Sequence, residues 1–288
     1  MATFICTDLD RTLLPNGPQS GSPQAMPALK ALVAEPEVRL AFVSGRRLAL
    51  HLEAIAEYDL PTPDHIVADV GATIYDRIAD EWRPNAGWHA RLAAAWQGRE
   101  WRDVFPLVSD IPGLELQEES AQAAHKLSFN VPNLKDRERL TELVRRRFDA
   151  EGIRADLIWS VDETVPMGLL DVMAAGATKL EAVRWLIEST GIPVQRTLFS
   201  GDSGNDLPVL VSEIPAVLVA NATEEVRAEA LQLTEQLGHS GNLYCAIGGY
   251  NGMNGCYAAG ILEGAAHFFP EWRDFINNSC DSGIKSVP

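Results

Sequence analysis

Thr3-Phe4-Ile5-Cys6-Thr7-Asp8-Leu9-Asp10-Arg11-Thr12 runs from an apolar, strand-like stretch into two carboxylates two positions apart. Residues i and i+2 of a strand share a face, so Asp8 and Asp10 can converge on one reacting centre where the strand gives way to a loop. Two like charges this close repel, and they persist together mainly when a cation, a shared proton or a phosphoryl group offsets them. A strand end capped by a solvated aspartate turn would look the same in isolation. The rest of the chain has to decide between the two.

The chain has 288 residues, 46% of them hydrophobic, enough for a large core and, by size, two domains. Its formal charge of −16 opposes nucleic acid and anionic membrane as partners, although a single basic pocket can still receive a phosphate. No apolar stretch has the length of a bilayer span, and Met1 to Leu14 shows neither a basic n-region nor a cleavage site, so a soluble, cytoplasmic protein is expected. Cys6, Cys245, Cys256 and Cys280 have no C-x-x-C or Cys/His metal spacing and read as free thiols, which argues against zinc. The polar end from Asn277 to Pro288 is expected to be loosely ordered. No pattern in the sequence fixes an oligomeric state.

Short apolar runs alternate with helical periodicity, the pattern of a parallel sheet wrapped by helices. Strands are expected at Thr3 to Thr7, Arg39 to Val43, His65 to Val70, Thr197 to Ser200 and Ala216 to Val219. Between the third and fourth lies a segment of different character, roughly Glu81 to Gly168, which holds Trp82, Trp88, Trp96 and Trp101. Strand-like runs follow around Leu114 to Gln117 and His125 to Val131, then a charged helix from about Leu134 to Glu151, with Asn133 as cap and Gly152 as terminator. Leu157 to Val161 and Leu169 to Met173 read as two more strands. The expected class is α/β: a Rossmann-like parallel-sheet core (1–80 and 169–288) with an inserted α+β cap domain (81–168).

Ligands of open α/β sheets bind beyond the carboxyl ends of the strands, so the residues there carry the chemistry. The second strand ends in Ser44-Gly45-Arg46, a hydroxyl, a permissive backbone and a cation, although a plain turn before a helix would read alike. The third ends in Val70-Gly71-Ala72-Thr73, where Gly71 allows close backbone approach. The fourth runs into Gly201-Asp202-Ser203-Gly204-Asn205-Asp206, two more carboxylates and an amide within five residues. A Ca²⁺ loop is a rival reading, but its twelve-residue spacing with a closing Glu is missing. Thr178-Lys179-Leu180-Glu181 is a capping box opening an apolar-faced helix. Lys179 in the first turn opposes the helix dipole at a cost of roughly 0.3 to 1 kcal/mol, and a broken local rule hints at function.

Taken together, Asp8, Asp10, Thr12, Ser44, Lys179, Asp202, Asn205 and Asp206 resemble the four motifs of the haloacid dehalogenase superfamily of phosphohydrolases. Their order, their strand-end placement and the insertion between the serine and lysine motifs all fit. The inserted unit looks like the α/β cap of the sugar-phosphatase branch. The Gly201 to Asp206 spelling, and Tyr257 to Phe268 near the end, are similar to sucrose-phosphate phosphatases and the related mannosylfructose-phosphate phosphatases.

The resemblance implies a Mg²⁺-dependent phosphatase acting on a sugar phosphate. Asp8 would be the nucleophile and form an aspartyl-phosphate, and Asp10 the general acid and base, its pKa pushed up by the neighbouring Asp8 charge. Asp8, the Asp10 carbonyl, Asp202 and Asp206 would hold Mg²⁺; Thr12, Ser44, Gly45, Arg46, Lys179 and Asn205 would serve the phosphate or orient what binds it. Arg46 reads equally as half of a surface salt bridge. His125-Lys126-Leu127-Ser128 resembles the cap lysine segment, which makes Lys126 the expected sugar contact. The tryptophans read as core rather than as a pyranose platform, and Arg145-Arg146-Arg147 as a solvated helix face. Where sucrose-phosphate phosphatases usually read Gly-x-Glu-Ile-Tyr, this chain has Gly71-Ala72-Thr73-Ile74-Tyr75. A hydroxyl thus replaces a carboxylate, which keeps mannosylfructose phosphate and glucosyl or mannosyl conjugates of glycerol or glycerate phosphate beside sucrose 6-phosphate. Two rival classes are a phosphate-accepting receiver domain, about half this length, and a sugar phosphomutase, which would share Asp8 and Asp10.

Overall fold

The computed structural model describes residues 2–161 and 167–284, with side chains described through Cys280. Twelve strands occur among the described residues: β1 (Thr3–Thr7), β2 (Val38–Val43), β3 (His65–Ala68), β4 (Thr73–Ile78), β5 (Glu81–Pro84), β6 (Glu115–Leu116), β7 (Lys126–Val131), β8 (Ala155–Val161), β9 (Gly168–Ala174), β10 (Thr197–Gly201), β11 (Ala216–Leu218) and β12 (Leu243–Cys245). The chain divides into two compact units, Met1–Val67 with Val183–Pro288, and Ala68–Ala182.

The first unit is built on a parallel sheet in the order β12-β11-β10-β1-β2-β3. β1 is buried at every position, as expected of a strand covered on both faces, and it pairs in parallel with β10 on one side and β2 on the other. Thr7 lies opposite Ser200 in that register, so the carboxyl ends of β1 and β10 finish side by side. The core beneath is closed by the Ala258–Phe268 helix, whose Ala259, Ile261, Leu262 and Ala265 are fully buried. The chain end departs from expectation: Arg273–Ile284 is a helix, because Ile276 and Cys280, four residues apart on one face, are buried in that core. Residues 285–288 lie outside the described residues.

The second unit carries the β4–β5 hairpin and a four-stranded antiparallel sheet in the order β6-β7-β9-β8. The Arg137–Ala150 helix buries Leu140, Val144 and Phe148, a strict four-residue repeat, and leaves Arg145 to Arg147 exposed. Trp88 and Trp96 are 1% and 0% exposed, and Trp96 meets Phe148 edge-on at 6.2 Å. These two rings therefore pack the unit's interior. β3 stops at Ala68 rather than at Val70, because Asp69 and Val70 take φ of +52° and +59°, which ends an extended run. Gly71 then adopts φ +111°, where a β-carbon would sit 2.4 Å from the Thr178 carbonyl carbon. Glycine is required there for both reasons.

Candidate active site

Asp8 follows β1 directly, and its N–H donates to the Ser200 carbonyl at 2.9 Å, which fixes it against the end of β10. Asp202 likewise follows β10 directly. Asp8, Asp202 and Asp206 are 4%, 4% and 0% exposed, and each offers a carboxylate oxygen within 4.8 Å of the others. Thr12 Oγ1 donates to Asp202 Oδ1 at 3.1 Å. Asp206 Oδ2 accepts from Asp202 N–H, Ser203 N–H and Ser203 Oγ, each at 3.2 Å, so it shapes the turn as well as adding charge. Gly201 makes this possible: a β-carbon there would lie 2.6 Å from the Asp206 β-carbon. Three buried carboxylates repel strongly, and an all-oxygen set of this charge suits a hard divalent cation such as Mg²⁺.

Asp10 lies beside this cluster in sequence but faces different company. Arg46 grips its carboxylate with two hydrogen bonds, Nε to Oδ2 at 2.8 Å and Nη2 to Oδ1 at 2.6 Å, and Asn16 Nδ2 adds a third to Oδ1 at 2.8 Å. Burial raises the Asp10 pKa, but the bonds from Arg46 and Asn16 and the charge on Arg46 outweigh it and hold the carboxyl below its usual range. The expectation of a raised value is thereby corrected, because three donors stabilise the ionised form. Ser44 is buried at the end of β2, its N–H donating to Val67 O at 2.9 Å and its Oγ accepting from Arg46 N–H at 3.3 Å. Gly45 is exposed. Asn205 is exposed too, and its Oδ1 accepts from Ser203 Oγ at 3.0 Å.

In the second unit Lys179 opens the Lys179–Thr190 helix and is 2% exposed. Thr178 Oγ1 accepts from Glu181 N–H at 3.2 Å, the expected cap. Lys126 is 9% exposed, with Nζ 3.5 Å from Asp69 Oδ1 and 3.7 Å from Asp171 Oδ1; Ser128 Oγ also donates to Asp171 Oδ1, at 2.6 Å. Asp69, Asp171, Arg11, Asn16 and Asn221 escaped the sequence reading. A carboxylate in the apolar run His65 to Val70 is a signal that could have found Asp69, whereas Asn16, flanked by Pro15 and Gly17, reads only as a turn residue.

Acidic residues thus gather at the carboxyl ends of neighbouring parallel strands of an α/β core. The sequence profile of sucrose-6F-phosphate phosphohydrolases matches residues 1–269. A HAD-like hydrolase of Nitrosococcus oceani is 49% identical over 94% of this chain and 72% of its own length. Sucrose-phosphatase 1 of Nicotiana tabacum is 30% identical over 92% of this chain, which spans 59% of that enzyme's length. The crystal structure of the sucrose-phosphatase of Synechocystis in complex with sucrose and phosphate aligns with a TM-score of 0.68 and 25% identity, over 93% of this chain and 98% of that one. The chain belongs to the sucrose-6F-phosphate phosphohydrolase family of haloacid dehalogenase-like proteins, and so to the phosphoric monoester hydrolases. The four cysteines are free thiols, and no helix among the described residues is long and apolar enough to cross a membrane.

Proposed function

We propose that this protein hydrolyses a disaccharide phosphate such as sucrose 6-phosphate with Mg²⁺ and an aspartyl-phosphate intermediate. The observation that carries the reading is the convergence of the Asp8, Asp202 and Asp206 oxygens within 4.8 Å at the ends of two adjacent strands. Family membership supports the substrate class. Asp8 attacks phosphorus, and the bond from phosphorus to the sugar oxygen breaks while Asp10 gives that oxygen a proton. Water then attacks the aspartyl-phosphate, Asp10 takes its proton, and the Asp8 carboxylate leaves. Asp10 clasped by Arg46 is poised as the base; the acid step requires that clasp to loosen. Asp8, the Asp10 carbonyl, Asp202 and Asp206 would hold Mg²⁺, which when bound neutralises charge on the phosphoryl oxygens. Thr12 steadies Asp202, and Ser44, Gly45, Lys179 and Asn205 are proposed to serve the phosphate. The segment 81–168 is proposed to act as a cap that sets specificity, with Lys126 as its sugar contact.

The experiment is a panel of sugar phosphates with MgCl₂: sucrose 6-phosphate, mannosylfructose phosphate, and glucosyl or mannosyl glycerol and glycerate phosphates. Free phosphate and isomer formation are followed together. Preferred release of phosphate from a disaccharide ester supports the reading; isomer without phosphate makes the protein a mutase. Asp10→Asn should lower kcat by roughly 10² to 10⁴ with the sugar ester and by much less with an activated aryl phosphate, whose leaving group needs little protonation. Equal losses on the two esters would remove the acid role.

A further inference from the structure

Arg11 has no place in that reading, yet its backbone is held in an unusual way. It takes φ +59°, a left-handed conformation that costs a residue bearing a β-carbon roughly 1 kcal/mol or more. Both of its backbone polar groups are clasped from elsewhere in the chain. Its N–H donates to Asn16 Oδ1 at 2.8 Å, and its carbonyl accepts from Asn221 Nδ2 at 2.5 Å. Asn221 is itself fixed, its Oδ1 accepting from Tyr257 N–H at 3.0 Å. Glycine would occupy this position without strain, so the structure sustains the conformation while keeping a long cationic side chain.

That side chain reaches the acidic cluster at Asp202. Arg11 Nε lies 3.5 Å from Asp202 Oδ2, the oxygen opposite the one bonded by Thr12. The Nε atom is buried and has no hydrogen-bond partner, while 42% of the side chain is exposed. The contact is therefore electrostatic rather than a closed hydrogen bond, and the side chain as a whole remains partly open to solvent.

We propose that Arg11 is a built-in counter-ion, resting against Asp202 when substrate is absent and transferring to the phosphoryl group when it arrives, so that phosphate and divalent-cation binding are coupled through this side chain. The proposal rests on the reading of Asp8, Asp202 and Asp206 as the cation site. A guanidinium beside Asp202 repels a divalent ion seeking the same carboxylate. A phosphate dianion offers it a bidentate partner and draws it away, which leaves Asp202 to the metal. By linkage, each ligand then raises the affinity of the other by the same factor.

The test is calorimetric titration of the whole protein with MgCl₂, with and without saturating inorganic phosphate, in wild type, Arg11→Gly, Arg11→Lys and Asp202→Asn. Arg11→Gly deletes the cation and relieves the backbone, so it should melt no lower than wild type. Without phosphate it should bind Mg²⁺ about tenfold more tightly than wild type, and phosphate should tighten binding by a smaller factor than in wild type. Arg11→Lys keeps the charge and should stay within about twofold of wild type. Equal or weaker Mg²⁺ binding by Arg11→Gly, or a lysine variant as tight as the glycine one, overturns the proposal while the cation site stands. If wild type and Arg11→Gly take up no more Mg²⁺ than Asp202→Asn, the reading of the carboxylates falls as well.

Discussion

In the unit formed by residues 68–182, Lys126 lies between two carboxylates, its Nζ 3.5 Å from Asp69 and 3.7 Å from Asp171, and all three side chains are largely buried. In the other unit Asp8, Asp202 and Asp206 bring three carboxylates within 4.8 Å, with the half-exposed Arg11 beside Asp202. The first cluster encodes its cation in the chain and holds it by packing. The second concentrates negative charge at the carboxyl ends of parallel strands, the edge at which open α/β sheets bind ligands. A cation fixed in sequence suits recognition, since its position is permanent. A cluster rich in like charge suits chemistry, since under the proposed function a partner that comes with the substrate offsets it.

The sharpest way to break this contrast is at Asp8. If the strand-end cluster is the chemical one, Asp8→Asn should lower kcat by about 10⁴-fold or more, with the circular dichroism spectrum unchanged. A variant that keeps activity within tenfold would take the nucleophile's role away from Asp8. Lys126→Met should act in the opposite manner. Leaving Asp69 and Asp171 buried together without their shared cation should cost about 3 to 5 kcal/mol of stability, read from the urea midpoint, whether MgCl₂ or EDTA is present. Its KM for the preferred sugar should rise more than its kcat falls. An unmoved midpoint would make Lys126 a solvated side chain and dissolve the comparison.

The two clusters differ as much in how far the sequence announces them. Asp8 and Asp202 were legible because they terminate short, continuously apolar runs, and parallel neighbours β1 and β10 must end at the same edge. The clasp on Asp10 was not, since Arg46 reaches it from 36 residues away and sequence spacing alone gave the neighbouring Asp8 charge as the dominant influence. The asparagine that holds Arg11 stands 210 residues from it, a pairing visible only after folding. In the second unit the hairpin of β4 and β5 was missed because its turn is Ala79-Asp80, with φ of +50° and +65°, instead of the Asn-Gly or Asp-Gly that advertises such a turn. The expected strand from Leu114 to Gln117 shrinks to Glu115–Leu116, both exposed, as a short sheet edge allows. Asp171 lies in a strand that was read correctly, but its partnership with Lys126 depends on β7 and β9 pairing with Ser128 opposite it.

A smaller effect sharpens the contrast through His125, the residue before Lys126. His125 is 1% exposed, its ring tilted against that of His89 at 4.6 Å and edge-on to Trp96 at 5.9 Å. Burial, with a smaller electrostatic contribution from the neighbouring His89, pushes its pKa from 6.5 down to about 4. The folded state thus keeps the ring neutral while the unfolded chain takes up a proton below pH 6.5. Stability from this group is complete above that value and drains away as pH falls towards 4, by about 3 kcal/mol across the window. His125→Phe should remove that share of the acid sensitivity, which urea denaturation at pH 7.5, 6 and 5 would resolve as a shallower decline than wild type. Because the protonation falls in the unit that carries its own cation, MgCl₂ should leave the difference between the two proteins unchanged. Parallel declines for wild type and variant would mean that His125 titrates normally and that the environment of Lys126 is wetter than its burial implies.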